Sequence, residues 1–79
     1  MDELYLSRRI HVAPHLNLDT DCWIPKADVF WDENGRQFRH TLTGPGDRFK
    51  IIDDAVNYAM DSARRWINEQ VSRIPLRNQ

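Results

Sequence analysis

Hydrophobic and polar residues alternate along the first half of the chain and recur at helical spacing along the second. From Leu4 to Val12, Leu4, Leu6, Ile10 and Val12 fall on one face, and Tyr5, Ser7, Arg9 and His11 on the other. Period-two alternation with a β-branched end predicts a half-buried strand over about residues 4–13. Arg8 alone breaks the apolar face, which points to a bulge or a late start of pairing there. Pro14 ends the run, and the polar loop from Asn17 to Asp21 follows.

The alternation resumes with Trp23, Ala27, Val29 and Trp31 on one face and Ile24, Lys26, Asp28 and Phe30 on the other, predicting a second strand over about 22–31. Pro25 has no N–H to give to a ladder, so it belongs at the strand start or at a bulge. Asp32-Glu33-Asn34-Gly35 reads as a hairpin turn, because Asn-Gly readily takes positive φ. A third strand is expected over 36–43, with Phe38, His40 and Leu42 inward and Gln37, Arg39, Thr41 and Thr43 outward. Gly44-Pro45-Gly46-Asp47 breaks the chain.

Ile52, Ala55, Val56, Ala59, Met60, Ala63, Trp66, Ile67 and Val71 then repeat at i, i+3, i+4 and i+7, predicting an amphipathic helix over about 51–72. Asp53 and Asp54 complement the positive end of its dipole. Asp61 precedes Arg65, and Glu69 precedes Arg73, each by one favourable ion-pair spacing. Pro75 closes the helix and leaves a frayed tail over 74–79. The expected fold is therefore α+β, a three-stranded antiparallel sheet (β-β-β-α) with one C-terminal amphipathic helix packed on one face. In this register Trp23, Trp31, Phe38 and Trp66 fill most of the core.

Composition narrows the function classes. Seventy-nine residues make one small domain near the lower size limit for a core without staples. Eleven basic residues against twelve acidic ones give a net charge of −1, so no global field draws the chain to nucleic acid or an anionic membrane. No apolar run is long enough for a transmembrane helix or a signal-peptide core. The lone Cys22 cannot form an intrachain disulfide, which makes the cytoplasm the expected location.

One helix covers one sheet face, and nothing in the sequence remains for the other. That face is expected to carry Tyr5, Ile24 and Phe30 beside Arg9, His11, Lys26 and Arg39. Aromatic and arginine side chains on an open sheet suit protein association, through the face or a sheet edge, with a homodimer among the options. They also suit nucleic-acid binding, since Arg9, Lys26 and Arg39 outweigh Asp28 in this register. The candidate interaction surface is Tyr5, Arg9, Ile24, Lys26, Phe30 and Arg39.

Reactive chemistry finds less support. His11, His15, Asp19, Asp21 and Cys22 are metal-competent donors close in sequence, but Pro14 interrupts the histidine pair and no second cysteine accompanies Cys22. A thiol nucleophile at Cys22 would lack an oxyanion hole. Gly44-Pro45-Gly46 lacks the Lys-Ser/Thr pair of a phosphate loop. His40 reads as a core histidine. The chain is expected to be a non-enzymatic module without metal or cofactor.

The order of a strand at Tyr5 to Val12, a Trp-led strand at Trp23, a third strand, Phe49, Asp53-Asp54-Ala55 and Ala63-Arg64-Arg65-Trp66-Ile67 resembles small uncharacterised bacterial β-β-β-α proteins of about eighty residues. Ile51 departs from that pattern, standing where a Thr or Ser commonly caps the helix. More distantly the layout is similar to plant apetala-type and integrase arm-binding domains, which read DNA with a three-stranded sheet, and to the HicB-like antitoxin domain. The strongly basic sheet of the DNA readers is missing here. No family catalytic residue maps onto this sequence.

Overall fold

The computed structural model describes residues 1–73. Six strands precede one helix: β1 (Asp2–Tyr5), β2 (Arg8–Val12), β3 (His15–Asn17), β4 (Cys22–Ile24), β5 (Lys26–Glu33), β6 (Arg36–Thr43) and α1 (Ile52–Arg73). They form an antiparallel four-stranded sheet in the order β1-β2-β5-β6 and a separate two-stranded sheet of β3 and β4. The fold is α+β with a C-terminal helix as expected, but the three-stranded sheet is replaced by two sheets. The frayed tail expected over 74–79 lies outside the described residues, as does Pro75.

The first expected strand is in fact a hairpin. Leu6 and Ser7 take φ of 49° and 65°, and Tyr5 pairs with Arg8 across them. Two consecutive positive φ values define the tight turn whose twist matches antiparallel strands. The reversal changes which residues point inward. Glu3 and Tyr5 now face the helix together with Arg8, Ile10 and Val12, while Leu4 and Leu6 are 76% and 51% exposed rather than buried. Arg8, the break in the apolar pattern, lies with its guanidinium 5.7 Å from the Trp31 ring centre.

The second expected strand is divided at Pro25. Its first part, Cys22–Ile24, pairs with His15–Asn17 instead of joining the main sheet. Pro25 is fully buried at the corner, and its carbonyl accepts the Gly44 N–H at 2.9 Å. A side chain at Gly44 would collide with Tyr58 Cε1 at 2.7 Å and with the Pro25 ring. Glycine is therefore required where β6 leaves the sheet under the helix. The Asn17–Asp21 loop ties the small sheet down, because Asn17 Nδ2 and Thr20 Oγ1 both donate to the Gly46 carbonyl.

The core also differs from the expected aromatic one. Ile10, Val12, Ala27 and Val29 of the sheet meet Ala59, Met60, Ala63 and Ile67 of α1. Small alanines on the helix let it approach the strands closely and seat Ile67 without exposure. Trp31 and Trp66 are only partly buried at the periphery, Phe38 is 38% exposed, and Trp23 lies in the small sheet opposite Leu16 and bridges to Phe49. His40 points inward as expected, stacked on Trp66 with ring centres 4.2 Å apart.

Helix α1 starts after Ile51, whose carbonyl accepts from Asp54 and Ala55 without any capping side chain. Asp53 and Asp54 supply charge to that first turn instead. No helix among the described residues is long and apolar enough to cross a membrane.

Candidate functional site

The sheet face away from α1 is built by alternation. With Ile10, Val12, Ala27, Val29, His40 and Leu42 inward, every neighbour of these along its strand points out. Register then lines the outward residues into rows across all four strands. Leu4, Arg9, Phe30 and Arg39 form one row, and Asp2, His11, Asp28 and Thr41 form the next. Lys26 stands opposite Thr43, and Asp32 opposite Gln37.

Contacts within the rows are specific. The Arg9 guanidinium carbon lies 4.8 Å from the Phe30 ring centre, a cation–π distance. His11 Nδ1 bonds Asp2 Oδ1, and Thr41 donates to Asp28 Oδ1. The bond to His11 holds the Asp2 carboxyl below the usual carboxylate range. Leu4, Ser7, Arg9, Phe30, Asp32 and Gln37, with Trp31 and Phe38, border a wide depression of about 360 Å3 at the end of the sheet that carries the two hairpin turns.

Four of the six expected surface residues stand on this face: Arg9, Lys26, Phe30 and Arg39. Tyr5 does not. It lies on the helix side and donates to Asn68 Oδ1 at 3.0 Å, because the Leu6-Ser7 turn reverses the strand before Arg8. Ile24 does not either, since Pro25 separates it from β5 and places it in the small sheet opposite His15. Leu4 takes the place expected of Tyr5. No composition or spacing signal marks it, although the Arg8 anomaly does mark the region as irregular.

The charge of the face also needs correction. Arg9, Lys26 and Arg39 are met by Asp2, Asp28 and Asp32, three against three, so the expected local excess of positive charge is absent. Phosphate contacts would have to form beside those carboxylates, against the electrostatic term on which nucleic-acid affinity depends.

The metal-competent residues are dispersed. His11 is on the outer face of β2, and His15 lies in β3. Asp19 and Asp21 belong to the loop before β4. Cys22 is buried, its thiol directed at the Thr20 carbonyl. No group of three or more metal-competent side chains occurs among the described residues.

The free edge of β6 completes the surface. Gly44 N–H donates to the carbonyl of Pro25, the residue just before β5, which sets the phase of the whole ladder. In an antiparallel pair, bonded residues alternate with residues whose backbone groups point away. Arg36, Phe38, His40 and Leu42 are thus bonded to β5, while the N–H and C=O groups of Gln37, Arg39, Thr41 and Thr43 point to the open side. Ala13 N–H to Lys26 C=O and Val12 N–H to Met1 C=O fit the same phase across the sheet. No described strand lies beyond β6.

These features define a class: a small α+β domain with one sheet face covered by its helix and the other covered by no described element. No family model, curated protein or solved structure matches the chain.

Proposed function

We propose that this chain is a non-enzymatic interaction module that binds another polypeptide through the open side of its four-stranded sheet. The observation that carries this reading is the continuous row Leu4–Arg9–Phe30–Arg39 across all four strands. An aromatic ring with stacked arginine, flanked by a leucine, is the composition of interface centres. Alternating anionic and cationic rows give the face a charge pattern that a polypeptide of matched pattern would complement. The same balance is the reason to prefer a polypeptide to nucleic acid.

The test uses the full chain as bait, identifies what it retains, and measures binding again with both components purified. Phe30→Asp is expected to weaken that binding by about thirtyfold, the scale of an interface hot spot. Its thermal melt should stay close to that of the parent, since Phe30 is outside the core. Unchanged affinity in Phe30→Asp and Arg9→Glu would overturn the reading. Salt-sensitive binding to mixed duplex, lost in Arg39→Glu, would replace it with nucleic-acid recognition.

A further inference from the structure

We propose that β6 pairs antiparallel with β6 of a second copy of this chain, about a two-fold axis at His40, making one eight-stranded sheet of two four-stranded ones. This inference rests on the reading of the chain as an association module and names one of its partners.

The two edges of the sheet are built differently. β1 has four residues, and its side chains are tied to the helix through Glu3 and Tyr5. β6 has eight, in unbroken register with β5, without proline or bulge. Edges of monomeric sheets are commonly protected by shortness, bulges, proline or covering segments. β6 carries the charged side chains Arg36 and Arg39, a further edge device, but no described residue shortens, bulges or covers it.

Backbone phase then selects the register in which a second β6 can pair. The outward backbone groups belong to Gln37, Arg39, Thr41 and Thr43, a set symmetric about His40. A two-fold axis at His40 opposes Gln37 with Thr43 and Arg39 with Thr41, so every outward donor meets an outward acceptor of the second copy. Centring on Arg39 instead leaves Thr43 without an opposite and sets two Arg39 side chains face to face, which like charges disfavour. Centring on Thr41 strands Gln37. Registers shifted by a single residue oppose outward groups to groups already bonded to β5, and exchange the two sheet faces.

Side chains agree with that register. On the helix side, Phe38 falls opposite Leu42 of the second copy. The Trp31–Phe38 stack, whose ring centres are 5.6 Å apart, thereby gains an apolar neighbour where Phe38 is now 38% exposed. On the outer face Arg39 meets a threonine, and the two Arg39 side chains are separated. β6 carries no carboxylate, and its two charges, Arg36 and Arg39, do not stand directly opposite their own counterparts in this register.

Sedimentation and native mass measurements on the full chain test this. The parent is expected at twice the 9.4 kDa of one chain. Thr41→Pro removes an outward N–H, leaves the β5 ladder intact, and should weaken the dimer by about tenfold or more with unchanged helical dichroism. His40→Cys places two thiols at the axis in a non-bonded pair, about 4.5 Å apart at Cα, within disulfide reach. It should cross-link between copies on mild oxidation, and Arg39→Cys should not. Buried Cys22 stays out of this reaction.

A single-chain mass at every concentration overturns the proposal. So does a dimer indifferent to Thr41→Pro, or cross-linking through Arg39→Cys in preference to His40→Cys. Should Thr41→Pro unfold, the two cysteine variants decide alone. A monomer whose partner binding still collapses with Phe30→Asp refutes the edge pairing and spares the open-face reading. A persistent dimer whose partner binding ignores Phe30→Asp does the reverse.

Discussion

The chain contains two hairpins in its main sheet, closed by the same kind of turn and secured in opposite ways. Asn34-Gly35 joins β5 to β6 with φ of 53° and 77°, and both residue types favour that conformation. Leu6-Ser7 joins β1 to β2 with nearly the same geometry, although left-handed backbone is costly for leucine. The difference is made up by long-range ties. Arg64 donates from two nitrogens to the Glu3 carboxylate, Tyr5 donates to Asn68, and the Met1 ammonium donates to the Val12 carbonyl. By contrast β6 relies on its ladder to β5 and on partial cover from the helix. The hairpin with the better turn has the freer edge.

The largest perturbation of this contrast is at the centre of the first hairpin. Ile10→Ala empties a fully buried position between the sheet and α1, and is expected to cost about 2–5 kcal/mol in denaturant unfolding. Phe38→Ala on the freer hairpin should cost clearly less in the monomer, because that ring is already partly in water.

Turn exchanges come next. Gly35→Ala meets no steric obstacle within 4 Å, so its expected cost of about 1–2 kcal/mol is backbone strain alone. The converse double change, Leu6→Asn with Ser7→Gly, is expected to stabilise by about 1 kcal/mol, raising Tm by roughly 4–8 °C. If it destabilises instead, the Leu6 side chain contributes more than its exposure indicates.

The smallest effect is the pH response of the tie across β1. Hydrogen bonding from Arg64 holds the Glu3 carboxyl below its ordinary value, against a weaker upward push from burial. A carboxyl depressed in the folded state contributes stability that is present above its unfolded pKa and is lost as pH falls through the folded one. The matching rise at Arg64 is spent only at strongly alkaline pH. Melting curves in acid should therefore fall less steeply for Glu3→Gln than for the parent. An identical acid limb in both would show that the pair contributes nothing, as exposed ion pairs often do not.

The legible parts of the fold share a local cause. Periodicity located α1, Asn34-Gly35 located the second hairpin, and the alternation after it placed Arg39 outward and His40 inward. The missed parts depend on distant contacts. Nothing in Leu6-Ser7 announces a reversal, and only the Arg8 anomaly hints at one. Pro25 could be seen to disturb a strand, but its neighbours alone do not show that Cys22–Ile24 would pair with His15–Asn17. These two errors account for the loss of Tyr5 and Ile24 from the candidate surface, while Arg9, Lys26, Phe30 and Arg39 keep their places.

The sequence by itself determined the α+β class, the helix, and which residues of β5 and β6 share a face, because period and turn chemistry are properties of neighbouring residues. Tertiary structure decided that the first strand turns back under Arg64 and Asn68, and that acids from β1 and β5 balance the bases of the open face. It also left β6 at an edge that no described strand covers. Such outcomes depend on which strands meet, and strand order is set by packing against the helix, far from any one residue in sequence.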